Sequence, residues 1–335
     1  MLVKKTRHGR SSDRLVKKLD LKREVVNRKL IAAVFLLSGA LSLGLWWKGR
    51  DTPGDESKWW EGWISPVEIS FETGNRENNG LRIKKSEALI GEIRDRVATA
   101  SGTYAVYVYE MQNRQGFGMN EREKMAGASV LKIPALVAAA RKIEQGEWSE
   151  KQEFELLEVD RSPGSGPLQF EPAGTMVSVG DMLRYLGRNS DNTAWRMVNR
   201  LAGVQAVEDV MLAAGMTDSD YSSGAGDVTA VDVGKLLVKL ADEEVVGNRG
   251  WQLMREYLTD SIYEDRIPAG IPEGEATIVH KVGTLADVWS DAGIVEPIVG
   301  DPFVVVVLNQ GVVRAEATAM VPWIVEQVWK YQSGF

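Results

Sequence analysis

The 335-residue chain contains no cysteine and only two histidines, His8 and His280. The missing cysteine excludes disulfides, zinc–thiolate sites, a thiol nucleophile and a lipidated cysteine anchor. With one histidine in the body of the protein, a multi-histidine zinc site is excluded there. Any Ser-His-Asp triad would have to use His280. Positive charge is also sparse outside one segment. The net charge is −7, yet residues 1–29 hold eleven Lys/Arg against three Asp/Glu, so the remaining 306 residues carry −15. So acidic a body argues against nucleic acid as a partner. Internal repeats are absent as well.

One long uncharged run is present. Residues 30–47, Leu-Ile-Ala-Ala-Val-Phe-Leu-Leu-Ser-Gly-Ala-Leu-Ser-Leu-Gly-Leu-Trp-Trp, contain no ionisable side chain. Eighteen residues at about 1.5 Å each nearly cross a bilayer core. The basic flank suits the cytoplasmic side, and Trp46 and Trp47 suit the far interface. The run is read as a single-pass anchor in the lipid bilayer, with 1–29 as a basic cytoplasmic segment and the rest of the chain on the outer face. A cleaved signal peptide is the alternative; the long leading segment and the lack of a clear small-x-small cleavage site oppose it. Residues 48–80 mix Pro, Gly, Asn and charge and read as a linker. Its Trp59, Trp60 and Trp63 could lie on the membrane or on the domain.

From residue 81 to 335 the pattern is that of one folded domain. Periodicity predicts a helix over 84–99, with Leu89, Ile90, Ile93 and Val97 on one face. Residues 103–110 read as a strand with 116–119 as its hairpin partner. A helix over 129–145 follows, then a short strand at 153–159 and a loop at 162–169. Helices are expected at 179–189 (capped by Ser178), 192–201, 204–214, 229–242 and 250–260. The end is β-rich, with strands at 277–282, 289–296 and 302–308, before a closing helix at 315–331 that Pro322 bends or restarts. Phe303-Val-Val-Val-Val-Leu308 reads as a strand buried on both faces. Strands at both ends and helices between them predict an α+β fold, an antiparallel sheet built from both chain ends with a helical insert.

The chemistry centres on residues 126–146. Gly127 and Ala128 lead into a helix almost wholly apolar from Val130 to Ala140, yet its first turn carries Ser129 and Lys132. At i and i+3 their side chains share a face, with Cβ atoms about 5–6 Å apart. Burial lowers a lysine's pKa, and a neutral amine beside a hydroxyl can take its proton and leave a nucleophile. Ser-x-x-Lys arises by chance about once in a chain of this length. This one is the only example in the sequence, and Pro134 removes a helical hydrogen bond just after the lysine. Two further pieces follow in order. Ser190-Asp191-Asn192 lies 61 residues later between two helices, and Lys281-Val282-Gly283-Thr284 lies 91 residues further on a late strand. Alone, the first is an ordinary N-cap and the second a charge on an edge strand.

Together these pieces resemble the class A β-lactamase and penicillin-binding-protein superfamily. The resemblance spans about residues 85–332, and Arg266-Ile-Pro-Ala-Gly270 and Asp291-Ala-Gly-Ile-Val295 look like the segments flanking the third motif. It implies a β-lactamase/transpeptidase-like fold, with Ser129 as acylated nucleophile and Lys132 as its base. Ser190 would pass a proton to the leaving nitrogen. Asn192 would orient Lys132 and bind the substrate amide, while Asp191 would tie the loop. Lys281 would supply positive charge to the proton relay and to the substrate carboxylate. The N–H groups of Ser129 and Thr284 would form the oxyanion hole beside Gly283, and Ser165 and Gly166 would rim the cleft. The implied partner is a β-lactam or a peptidoglycan stem peptide outside a bacterial membrane, with no cofactor and no metal.

Two departures stand out. Efficient β-lactam hydrolysis in the family uses a Glu-x-x-Leu-Asn segment between the second and third motifs, and this chain has none there. Residues 215–227 pass almost directly into the next helix with only Asp218, Asp220 and Asp227 as acids. Val282 stands where Thr or Ser is usual, removing a hydroxyl for the substrate carboxylate. Three readings stay open: a membrane-anchored β-lactamase-like serine hydrolase, a D-alanyl-D-alanine peptidase or transpeptidase, and a non-catalytic cell-wall binding domain. His280 is expected to pair within the sheet.

Overall fold

The computed structural model describes residues 76–221 and 226–334. The basic segment 1–29, the apolar run 30–47 and the tryptophans at 59, 60 and 63 lie outside the described residues. Among those described, no helix is long and apolar enough to cross a membrane.

The centre is a five-stranded antiparallel sheet in the order β2-β1-β9-β8-β7. Its strands are β1 (Thr103–Glu110), β2 (Gln115–Met119), β7 (Ala276–Thr284), β8 (Trp289–Pro297) and β9 (Phe303–Gln310). The two chain ends meet where β1 pairs with β9, Thr103 opposite Gln310 and Glu110 opposite Phe303. Period-two alternation on β9 sends Val304, Val306 and Leu308 into one apolar cluster and Phe303, Val305 and Val307 into the other. All six are fully buried, as expected for a strand covered on both faces.

One face is covered by α1 (Arg76–Val97) and by α8 (Arg314–Ser333). The other carries the helical insert, which includes the main part of the core. Its helices are α2 (Lys132–Glu144), α3 (Val179–Arg188), α4 (Asn192–Ala202), α5 (Val204–Ala214), α6 (Ala230–Ala241) and α7 (Asn248–Leu258). Four short strands make two small ribbons: β3 (Met125–Ala126) pairs with β6 (Asp227–Val228), and β4 (Glu153–Glu155) with β5 (Met176–Ser178).

Four expectations change. The first helix begins at Arg76, not 84, so the end of the presumed linker is helical. Arg82 grips the buried Glu110 with two hydrogen bonds of 3.0 and 2.6 Å, which anchors the helix ahead of its apolar stripe. The strand at 153–159 stops at Glu155, because the Asp160 carboxylate accepts from Leu157 N–H (3.0 Å) and closes a 3₁₀ turn over Glu158–Asp160. The helix expected from 129 begins at Lys132, with Ser129 in a preceding 3₁₀ turn, Ala128–Leu131. Pro134 therefore falls in the first helical turn, where its missing N–H has no intrahelical partner to lose. Pro322 does not restart the last helix, which runs through it as one element.

Close packing of α3 on α7 depends on Gly187, where a Cβ would sit 2.0 Å from the backbone oxygen of Tyr257. Gly187→Ala must push the two helices apart, and chemical denaturation should register a loss of about 1–3 kcal/mol. An unchanged unfolding midpoint would disprove that packing.

Candidate active site

The 3₁₀ turn bearing Ser129 is wedged between β7 and the connector that follows α5. Two glycines make the fit possible. A Cβ on Gly127 would lie 2.8 Å from Leu131 Cγ and 3.1 Å from Gly226 O, and one on Gly283 would lie 3.1 Å from Val130 Cγ2 and 3.3 Å from Gly127 O. Third-motif strand and serine turn thus pack closely because neither glycine carries a side chain. Ala128, just before the serine, has φ of +45°, and Ser190 has φ of +54°. Non-glycine residues rarely adopt this left-handed region, and it concentrates at functional sites.

Lys132 opens α2 and is fully buried. Its Nζ donates to the Ser190 backbone oxygen, to Ser190 Oγ at 3.2 Å and to Asn192 Oδ1 at 2.7 Å. No hydrogen bond among the described residues links it to the Ser129 hydroxyl. Burial pulls its pKa down from the ordinary lysine value to about 7, and the nearby Asp191 carboxylate opposes part of that fall. Near neutrality the amine is therefore poised between its two forms. Loss of one proton leaves two donors for Ser190 and Asn192 and frees a lone pair to accept from a neighbouring hydroxyl.

Asp191 and Asn192 hold the second motif in place. Asp191 caps α4 through Oδ1, which accepts from Ala194 N–H at 2.8 Å, while Oδ2 accepts from Leu168 N–H at 2.8 Å. Asn192 Nδ2 donates to Pro163 O at 2.9 Å, and its backbone N–H donates to Ser165 O at 3.1 Å. The 162–169 loop is thereby fastened along the cleft. Gly166, at φ +93°, has its would-be Cβ 2.1 Å from Asp191 Oδ2, so no other residue fits. Gln169, unassigned from sequence, staples the loop by donating to Gly164 O (2.7 Å) and Gly166 O (2.8 Å).

On β7, Lys281 is 1% exposed and its Nζ has no hydrogen-bond partner among the described residues. Burial and the nearby Lys132 amine hold its pKa well below the usual lysine range, against the pull of Asp291. Val282 is buried. A hydroxyl does stand two residues on: Thr284 Oγ1 accepts from Arg266 Nη2 at 2.6 Å. Arg266 is the site residue that sequence reasoning missed. It is 1% exposed and donates from Nη1 to Ser290 O (2.6 Å) and Gly283 O (3.0 Å). Its guanidinium stacks on Trp289 at 3.8 Å, with Arg314 at 4.6 Å from the same ring. The only signal in the sequence was one arginine in the Arg-Ile-Pro-Ala-Gly segment. Arg266 thus places a buried guanidinium beside Thr284 on the same strand as the Lys281 amine. Among the described residues no cluster of three or more Asp, Glu or His side chains could hold a metal ion.

The only histidine in the body is used structurally. His280 Nδ1 lies 2.9 Å from Asp291 Oδ2, and Nε2 lies 3.5 Å from Glu264 Oε1. Asp291 Oδ2 also accepts from Ile267 N–H at 3.0 Å. No part of this network reaches Ser129 through a hydrogen bond, so it does not form a Ser-His-Asp triad.

Residues 88–332 match the family model described as the β-lactamase enzyme family, and the chain belongs to that family, of serine hydrolases acting on amide bonds. The fold is shared with a β-lactamase from Sphaerobacter thermophilus DSM 20745, at 23% identity and TM-score 0.68, covering 75% of this chain and 97% of that one. PBP-A is similar at 19% identity and TM-score 0.70 over 74% and 97%, and a mutant of PBP-A has been solved as an acyl-enzyme complex with penicillin G. The TLA-1 extended-spectrum β-lactamase is similar at 16% and 0.69 over 74% and 99%. At these identities the likeness is one of fold. No curated protein matches the chain.

Burial alone would lower the His280 pKa, but the adjoining Asp291 and Glu264 carboxylates outweigh it and raise it to about 9. A raised folded-state pKa gives stability that is complete below about pH 6.5, the ordinary histidine value, and is lost as pH climbs through about 9. His280→Gln should therefore melt well below the wild type at pH 6, with the gap narrowing by pH 10. A gap independent of pH would show that the imidazole is uncharged.

Proposed function

We propose that this chain is a membrane-anchored serine hydrolase that opens a β-lactam, or a related peptide amide of the cell wall, through an acyl-enzyme on Ser129. The observation that carries this reading is the buried Lys132 amine, held on Ser190 and Asn192 and shifted close to neutrality. Neutral Lys132 takes the Ser129 proton as Oγ bonds to the carbonyl carbon. The N–H groups of Ser129 and Thr284 receive the oxyanion, and donors of that kind are worth about 3 kcal/mol each. The C–N bond then breaks, Ser190 passes the proton from Lys132 to the leaving nitrogen, and an ester on Ser129 remains. Asn192 binds the amide, Ser165 and Gly166 line its approach, and Asp191 keeps the loop in place. Lys281, with Arg266 and Thr284 beyond it, receives the substrate carboxylate in place of the hydroxyl that Val282 lacks.

Residues 30–47 are the bilayer anchor in this reading, with 1–29 cytoplasmic, 48–80 mainly a tether and 81–335 the catalytic domain on the outer face. A second reading, a D-alanyl-D-alanine peptidase or transpeptidase on peptidoglycan, draws support from the connector after α5. Asp218, Asp220 and Asp227 are all exposed, so none is poised to activate a deacylating water.

Mass spectrometry of the full chain mixed with a labelled penicillin should find the added mass on Ser129, and Ser129→Ala should abolish it. Rapid loss of the adduct supports a β-lactamase, retention supports the peptidase, and no adduct overturns both. Acylation should fall tenfold per pH unit below about 7, where Lys132 becomes charged, and Lys132→Ala should lose at least about 100-fold at pH 8. A flat pH profile would exclude lysine as the base.

A further inference from the structure

One aromatic residue that takes no part in this reaction stands against its base, and a second backs it. Trp195 is the fourth residue of α4 and is 8% exposed. Its ring centroid lies 5.3 Å from Lys132 Nζ, within cation–π range. The indole N–H donates to the Tyr221 hydroxyl at 2.6 Å, which in turn donates to Asn199 Oδ1 at 2.7 Å. The two rings meet edge to face, with centroids 6.1 Å apart and planes at 72°. Asn199 lies one turn further along the same helix as Trp195, so the indole is held at its backbone and at its N–H. Burial raises the Tyr221 pKa to about 12, which keeps it a neutral donor throughout the physiological range.

Tyr221 comes from the connector between α5 and α6. That segment folds back on itself: Asp218 N–H and Ser219 Oγ donate to the buried Asp232 carboxylate at 2.8 and 3.0 Å, and Asp220 N–H donates to Asp227 O at 2.9 Å. Its carboxylates face water, and what it buries is an aromatic ring. Hydrolysis of an ester on Ser129 needs a water oxygen to bond to the carbonyl carbon, a proton to pass from that water to a base, and the C–Oγ bond to break as Oγ regains a proton. On its Trp195 side the Lys132 amine faces apolar ring atoms.

We propose that Trp195, locked by Tyr221 and Asn199, is a positioning residue that holds Lys132 against Ser190 and Asn192 and excludes water from the amine, so the acyl-enzyme forms readily but hydrolyses slowly. The inference rests on the acyl-enzyme reading above. The groups facing the amine are the Ser190 and Asn192 acceptors, the Asp191 carboxylate, the Lys281 amine and the indole ring. Tyr221 reaches it only through the indole.

The test labels the full chain with a fluorescent penicillin, removes free label and follows its loss from Ser129. Trp195→Leu should lose label at least about tenfold faster than wild type while still acylating at pH 8. Its acylation limb should also move up in pH, because admitted water restores the charged form of Lys132. Trp195→Phe, which keeps a ring, should retain most of the wild-type lifetime, and Tyr221→Phe, which frees the indole, should fall between. Wild-type lifetime and pH limb in a folded Trp195→Leu, or equally fast loss from Trp195→Phe, would overturn the proposal. If Trp195→Leu does not fold, Tyr221→Phe decides, and a wild-type lifetime there counts against it. A wild type that takes no label sinks the acyl-enzyme reading with this one. A wild type that labels and rapidly clears sinks the water exclusion alone.

Discussion

The burial of one amine constrains the rest of the molecule. Lys132 is fully enclosed, and an isolated ammonium in such a place would be costly. Its donors end on a backbone carbonyl, a hydroxyl and an amide oxygen, all supplied by Ser190 and Asn192. That supply requires Ser190 in a left-handed conformation and Asp191 as the cap of the next helix. The capping carboxylate also fastens the 162–169 loop through Leu168. One buried group therefore accounts for the backbone strain at residue 190, the conformation of a loop more than twenty residues upstream and the start of a helix.

The sheet provides the other half of the site. Because β1 and β9 pair across the junction of the two chain ends, the late strand β7 lies in the same sheet as the β1–β2 hairpin. Gly283 and Gly127 then let the turn approach β7 to contact distance. Behind the strand, His280, Asp291 and the Ile267 N–H tie the 264–267 segment down, and this presents Arg266 to Thr284. An acidic protein thus places a buried guanidinium beside its site, and the field there depends on such near groups more than on net charge.

Much of this was legible in the sequence. The unbroken apolar run at 303–308 predicted the double-sided burial of β9, capping chemistry at Ser178 and in Ser190-Asp191-Asn192 predicted two helix starts, and strands at both ends predicted the sheet. The three motifs pointed to Lys132, Ser190 and Asn192, and these three side chains meet. The misses are as instructive. A 3₁₀ turn and a first α-helical turn share nearly the same apolar spacing, so periodicity alone places Ser129 one element too late. The true start of α1 depends on Arg82 reaching Glu110, 28 residues away, and no local pattern encodes such a partner.

What the sequence determined by itself was local and additive: the segments that bury apolar faces, the helix caps, and the presence of a serine, a lysine and their companions in a recognisable order. What only the tertiary structure decided was the state of those groups. Lys132 stands near neutrality because distant segments close over it. Arg266 belongs to the site because a turn folds it under β7. Trp195 faces the amine because Tyr221, 26 residues later, takes its N–H. Desolvation and hydrogen-bond geometry depend on everything within a few ångströms, and chain order carries no measure of that distance.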